Sequence, residues 1–238
     1  MAEFRRPLNV RIAKMLACMD GDFLSNARCC FGGGTQLVMA HGEFRESRDI
    51  DFLVSSPRGI RQIRETVGPG SLGKILKAPI TLVRELVSER DAVRTYITDD
   101  PKSDPVKFEI IYEARIAVDG AMNQALGVPT LTASCAVAEK LLANADRGLD
   151  KLFRSRDVID LAFACIGLDR ATFKAGFELA EKVYGSAILR DLNEAIKRLE
   201  LDAKYRSECV RELSIEDPKR LREGLAKLRK LKRFASSA

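Results

Sequence analysis

Asp49 and Asp51, separated by one residue, are the side chains of this sequence best suited to catalysis. The segment 50–54 alternates with these carboxylates in the manner of a β-strand, on which residues two apart point to the same side. Two adjacent carboxylates repel each other unless a cation lies between them, and Mg²⁺ prefers oxygen ligands of this kind. In isolation the pair would fit a solvated strand edge, but its surroundings favour a magnesium site.

A glycine-rich turn precedes this strand. Residues 31–34 (FGGG) end a short apolar run, and residues 35–41 have a helical pattern. Glycines let backbone N–H groups approach a phosphate closely, and the positive end of a helix favours its negative charge. We therefore predict that Gly33, Gly34 and Thr35 bind nucleotide phosphates, with Thr35 acting through its hydroxyl.

Glu109 is an isolated acid in the segment 106–112, whose β-branched and aromatic residues predict a strand. A carboxylate among apolar residues needs a partner. If this strand lies beside the first one, Glu109 joins Asp49 and Asp51 on a shared face. We predict that these three residues are catalytic and hold two Mg²⁺ ions.

The character of the sequence changes near residues 126–129. Strand and helix patterns mix before this point, whereas helical apolar spacing dominates after it. We predict an α+β protein in which a mixed-sheet domain over residues 1–128 is followed by a helical domain over residues 129–238. The last helix is expected over 218–234.

Two residues of the predicted helical domain, Lys140 and Asp157, are candidates for nucleotide binding. Lys140 has small neighbours on its face of the helix, so its ammonium could reach a phosphate. Asp157 could hold Lys140 or a nucleotide base. The structural alternatives are a surface lysine and, on the following helix, a simple salt bridge between Arg156 and Asp160.

These motifs together resemble the DNA polymerase β-type nucleotidyltransferase superfamily and, more narrowly, the AbiEii/AbiGii toxin family. The resemblance rests on Gly33-Gly34-Thr35, Arg45, Ser47, Asp49-Ile50-Asp51-Phe52, Ala138-Glu139-Lys140-Leu141 and Arg156-Asp157-Val158-Ile159-Asp160-Leu161. Order and spacing agree over most of the chain, whereas the last ~40 residues match no motif. Glu109 departs from the family pattern, in which the third acid is often aspartate.

The resemblance implies a polymerase β-like fold and a magnesium-dependent enzyme. Such an enzyme would move a nucleoside monophosphate, or add a few nucleotides, from a nucleoside triphosphate (NTP) to an acceptor hydroxyl. It also implies that Lys140 is catalytic, that tRNA or another RNA is the acceptor, and that a cognate antitoxin protein accompanies the toxin. Two alternatives remain open: a small-molecule or protein acceptor, and a catalytically silent binding module.

The net charge of +6 resides at the C-terminus, where eight basic residues from 217 onward face only two acidic ones. Such a segment could contact RNA phosphates, or it could be an ordinary solvated helix face. Six cysteines without a C-x-x-C pair and a single histidine make a zinc site improbable. No apolar run is long enough to cross a membrane and no signal peptide is evident, so a cytoplasmic location is expected.

Overall fold

The computed structural model of the chain describes residues 3–231. Within it the chain divides into two compact units. The sheet unit combines the chain up to Met39 with Arg48–Thr132, and the helical unit combines Ala40–Ser47 with the chain from Ala133 onward. Most of the connection between the helix that follows the glycine turn and the D-x-D strand is therefore counted with the helical unit.

The sheet unit is built on one mixed sheet. Its strands are β1 (Cys29–Gly32), β2 (Asp49–Val54), β3 (Thr81–Leu82), β4 (Val87–Ser88), β5 (Ala92–Thr98), β6 (Val106–Tyr112), β7 (Gly120–Asn123) and β8 (Val128–Leu131). The strand order is β3-β5-β6-β2-β1-β8-β7, with β4 paired to β5. β2 runs parallel to β6 and antiparallel to β1, which places the predicted D-x-D strand at the centre of the sheet.

Helices cover the apolar face of this sheet. They are α1 (Pro7–Ala17), α2 (Gly21–Asn26) and α4 (Pro57–Thr66), with a 3-10 turn at Gly73–Ile75. α3 (Gly33–Ala40) follows the glycine turn and packs Met39 against the same core. The fully buried rings of Phe31, Phe52 and Phe108 meet across three adjacent strands, with centroids 5.7 and 6.0 Å apart. Because strand residues alternate between faces, burying Ile50 and Phe52 directs the carboxylates of β2 to the opposite face.

The helical unit contains α5 (Ala133–Arg147), a 3-10 turn (Lys151–Phe153), α6 (Arg156–Gly167), α7 (Arg170–Tyr184), α8 (Ala187–Leu201), α9 (Ala203–Glu212) and α10 (Pro218–Leu231). Leu221, Leu225 and Leu228 of α10 are buried. A Cβ at Gly224 would overlap the Ala162 carbonyl, so glycine allows α10 to approach α6 closely. The predicted continuation of this helix over Lys232, Arg233 and Phe234 lies outside the described residues.

The α+β fold with a mixed sheet followed by helices is confirmed. The sheet extends through β8 to Leu131, three residues beyond the predicted division after residue 128, and that division remains an expectation. No helix within residues 3–231 is both long and apolar enough to cross a membrane.

Candidate active site

The pairing of β2 with β6 brings the predicted carboxylates onto neighbouring strands. Asp51 is the register partner of Glu109, and Asp49 is the partner of Lys107. Asp49 and Asp51 are half-buried, whereas Glu109 is buried. All three alternate with core residues of their strands, so they share the sheet face opposite the apolar core.

The glycine turn lies directly against the carboxylate of Asp51. Gly33 follows β1 with a φ of 73°, in the left-handed region that favours glycine. A Cβ at this position would overlap the Asp51 carboxylate. Both the backbone conformation and the space therefore require glycine, and the N-terminus of α3 begins beside Asp51.

Thr35 is used inside the fold. Its side chain is fully buried, and its hydroxyl donates to the backbone carbonyl of Asp49 at 2.5 Å. The expected phosphate donor is thus already hydrogen-bonded within the protein. In this arrangement Thr35 ties the first helix turn to the start of β2 and so positions Asp49.

Glu109 carries a cation on each of its carboxylate oxygens. Arg94 Nε donates to Oε1 at 2.9 Å, and the Lys107 ammonium contacts Oε2. Arg94 also pairs with the exposed Glu89 at 2.6 Å. Sequence analysis missed Arg94, which lies on β5. The spacing of Lys107 and Glu109, two apart on one strand, was a readable signal of their pairing.

The metal expected at these carboxylates fits the residues only in part. Asp49 and Asp51 offer hard oxygen donors on one partly exposed face, as Mg²⁺ requires. Glu109 is instead held by Arg94 and Lys107. Among residues 3–231, no three or more histidine, cysteine, aspartate or glutamate side chains are arranged to hold a metal ion.

A buried network of charges lies within the helical unit. Lys140 Nζ contacts Asp157 at 2.9 Å and Asp160 at 2.7 Å, and all three side chains are buried. Arg45 makes a bidentate pair with Asp160 at 2.6 and 2.9 Å, and Arg147 Nε contacts Asp157 at 2.8 Å. Three cations and two acids are thus joined in one chain of ion pairs.

The network shifts the pKa values of Lys140 and Asp157. Burial by itself would lower the pKa of Lys140, but the charges of Asp157 and Asp160 outweigh burial and raise that pKa above its usual value. Burial would likewise raise the pKa of Asp157, yet Lys140 and Arg147 hold that pKa well below its usual value. Lys140 and Asp157 therefore both stay charged at neutral pH.

This network changes two expectations. Lys140 is not on an open helix face: its side chain is only 7% exposed and is held by two carboxylates. The expected partnership of Asp157 with Lys140 is observed. The alternative pair between Arg156 and Asp160 does not fit, because Asp160 pairs with Lys140 and Arg45 while Arg156 lies over the Phe153 ring. The pairing of Arg45 with Asp160, across 115 positions, left no signal in the sequence.

Comparisons with known proteins agree with this architecture. Two crystal structures from Helicobacter pylori, a candidate nucleotidyltransferase and the protein JHP933, each have a TM-score of 0.55 to this chain at 17% and 18% identity. The alignments cover 97% and 98% of this chain and 96% and 93% of those chains. At such identity the likeness shows the fold alone. No curated protein matches the sequence significantly.

A family comparison covers most of the sequence. Residues 16–228 match the family described as "Nucleotidyl transferase AbiEii toxin, Type IV TA system". The matched range contains the glycine turn, the carboxylates of β2 and β6, and the buried charge network. The chain therefore belongs to the AbiEii family of nucleotidyltransferase toxins.

Proposed function

We propose that this nucleotidyltransferase moves a nucleoside monophosphate from an NTP to a hydroxyl of an RNA, tRNA in particular, with magnesium held by Asp49 and Asp51. The observation that carries the proposal is the packing of the Gly33 turn against Asp51, beside the aspartate pair. That packing supports a phosphate site at the N–H groups of the glycine turn, beside the carboxylates. Glu109 is proposed as the third carboxylate of the two-ion site.

The residues of the sheet unit have separate roles in this reaction. The N–H groups at Gly33 and Gly34 bind the leaving phosphates, and Thr35 holds Asp49 in place. Glu109 accepts the proton of the acceptor hydroxyl, whose oxygen bonds to the α-phosphorus. The bond from that phosphorus to the bridging oxygen breaks, and pyrophosphate leaves. Bound Mg²⁺ would supply positive charge to the phosphates and to the attacking oxygen.

Lys140 and Asp157 remain proposed nucleotide-binding residues, and Lys140 a proposed catalytic one. Both are already paired in the buried network, so a phosphate would have to replace a carboxylate at the Lys140 ammonium. Burial strengthens the existing ion pairs as well, so the phosphate must interact with Lys140 more favourably than the carboxylate that it replaces. A purely structural role for Lys140 predicts unchanged NTP affinity in its variants, which makes the two roles separable.

The surface of α10 supports RNA as the acceptor. Its exposed cations are Lys219, Arg220, Arg222, Lys227, Arg229 and Lys230, which we call the basic stripe. Lys227 donates to the Ile166 carbonyl at 3.2 Å, and Arg229 contacts Glu200 at 3.3 Å. The other four cations are exposed on α10, whose leucines are buried. A row of cations of this kind binds phosphodiesters through charge. The family description also pairs such toxins with an antitoxin, and we propose a cognate antitoxin as a protein partner.

A labelling experiment tests the proposed reaction. The protein is incubated with magnesium, total tRNA and each of the four α-³²P-labelled NTPs in turn, and the RNA is resolved on a denaturing gel. We expect label in RNA with at least one NTP, and none with Asp49→Asn. Label that appears only on a small molecule or protein would move the acceptor to that class. The absence of transfer to any acceptor would overturn the proposal.

A further inference from the structure

The two cations on Glu109 are much more exposed to solvent than the carboxylate that they hold. The side chains of Arg94 and Lys107 are 40% and 38% exposed, and that of Glu109 is 11% exposed. A ligand approaching this face would therefore meet the guanidinium and the ammonium first. Arginine and lysine bind phosphate oxygens with short, charge-assisted hydrogen bonds.

The strand register sets these cations in a defined place. On the face opposite the core, one row across the sheet reads Arg94, Glu109, Asp51. The next row reads Tyr96, Lys107, Asp49. Each row thus runs from the β5 side toward a catalytic aspartate on β2.

The order of strands separates two sides of the aspartate pair. β1, which leads into the Gly33 turn, flanks β2 on one side, and β6 followed by β5 flanks it on the other. In-line phosphoryl transfer places the attacking and the leaving oxygen on opposite sides of the phosphorus. If the glycine turn binds the leaving phosphates, the acceptor must approach from the side of Arg94 and Lys107.

An aromatic side chain extends this surface. The Arg84 guanidinium lies over the Tyr96 ring at 4.1 Å, and Tyr96 is the register partner of Lys107. Exposed aromatic and guanidinium planes are the groups on which unpaired bases stack. Glu89 is the opposing acid on this surface, through its pair with Arg94.

We propose that Arg94 and Lys107 form the binding site for a phosphodiester of a polynucleotide acceptor, and that this phosphate releases Glu109 from both cations. Glu109 is then free to serve the carboxylate site. In the protein without acceptor, the same two cations keep Glu109 engaged. The acceptor thereby completes the site at which it reacts. This inference rests on the proposed function for its catalytic meaning, whereas the phosphate site and its coupling to Glu109 can be measured without any transfer.

The test uses binding measurements on the full chain. Mn²⁺ affinity is measured by calorimetry with and without a non-reactive single-stranded oligonucleotide whose 3′ end is blocked. Binding of a fluorescent copy of the oligonucleotide is followed by anisotropy. We expect the oligonucleotide to raise Mn²⁺ affinity severalfold in the wild type, and Mn²⁺ to raise oligonucleotide affinity by the same factor, because coupling is reciprocal.

The variant Arg94→Gln/Lys107→Gln should separate the two effects. Without oligonucleotide it should bind Mn²⁺ about tenfold more tightly than the wild type, whereas its oligonucleotide affinity should fall about tenfold. The salt slope of oligonucleotide binding should fall by about 0.7, because the two cations together bind one phosphate and about 0.7 is lost per phosphate contact to a single strand. Adding Glu109→Gln tests whether the gain acts through Glu109: this triple variant should lose the extra Mn²⁺ affinity and still bind the oligonucleotide weakly. It also removes the buried charge, so it stays informative if the double variant misfolds.

A matched control is Arg115→Gln, which removes an arginine from its pair with the buried Glu113 in the same unit. It should change neither affinity. The proposal would be overturned if the double variant bound the oligonucleotide as tightly as the wild type. It would also be overturned if the oligonucleotide left the Mn²⁺ affinity of the wild type unchanged. If the double variant lost pyrophosphate binding and kept oligonucleotide binding, the two cations would belong to the NTP site, and the proposal would again be overturned. Absence of transfer together with intact coupling would contradict only the proposed function.

Discussion

Replacing Lys140 by methionine removes one charge from the centre of the buried network and keeps most of the side-chain volume. The Lys140 ammonium lies 2.9 Å from Asp157 and 2.7 Å from Asp160, both of which are buried. The substitution therefore leaves two buried carboxylates that each lose one cation. The sequence alone suggested little effect on stability, because Lys140 was expected on an open helix face.

The size of the effect follows from the remaining partners. Removing one member of a buried ion pair destabilises a protein by about 3–5 kcal/mol, because a buried charge is left unpaired. Here Asp160 keeps Arg45 and Asp157 keeps Arg147, which favours the lower end, about 3 kcal/mol. A chain of 150–250 residues loses about 2–4 °C of melting temperature per kcal/mol. We therefore expect Lys140→Met to melt about 6–12 °C below the wild type.

Scanning calorimetry measures this shift, and Lys174→Met is the matched control. Lys174 is exposed and lies 3.5 Å from Glu178, an i,i+4 contact of the kind that contributes little. NTP titration at a temperature where all variants are folded reports separately on nucleotide binding, which should weaken if Lys140 contacts the triphosphate. If the melting temperature of Lys140→Met equals that of Lys174→Met, within about 2 °C of the wild type, the proposed contribution of the buried network to stability is refuted.

Three further predictions concern other parts of the protein. The Thr35→Val variant leaves the Asp49 carbonyl without its buried donor, so we expect kcat to fall at least tenfold while the calorimetric Kd for NTP changes less than twofold. Because the pKa of Asp157 is lowered in the folded protein, Asp157 contributes stability above its unfolded pKa of about 3.9, and this stability is lost as the pH falls. Between pH 5 and pH 2 the melting temperature should therefore fall less steeply for Asp157→Asn than for the wild type. Replacing Arg222, Arg229 and Lys230 of the basic stripe by glutamine should weaken RNA binding most at low salt, with a salt slope lower by about 2 in anisotropy titrations and unchanged NTP affinity; an unchanged slope would identify the stripe as a solvated face.

The central strand was predictable because its sequence pattern is local. The alternation of acids with Ile50 and Phe52 predicts both the strand and its buried face. In the structure these residues lie on β2, and both apolar side chains are fully buried. The helix after the glycine turn was also predictable from Gly33 and its neighbours. Such features depend on periods of two or 3.6 residues, which a sequence shows directly.

Contacts between distant segments left no such signal. Arg45 meets Asp160 only because the segment Ala40–Ser47 packs within the helical unit, where Phe44 also stacks on Phe163 at 4.2 Å. Arg94 meets Glu109 only through the pairing of β5 with β6. Tertiary packing therefore decided which charges are paired, and it buried a lysine that the sequence placed on an open helix face, within reach of a phosphate.

Catalysis by the aspartate pair is tested by comparing nucleotidyl transfer by Asp49→Asn, Asp51→Asn and the wild type, with melting temperatures recorded for all three. We expect each substitution to abolish transfer, to below about one thousandth of the wild-type rate. Because each also removes one of two repelling carboxylates, neither should melt more than about 2 °C below the wild type. A folded variant that retains near-wild-type transfer would contradict the assignment of this aspartate pair as the catalytic centre.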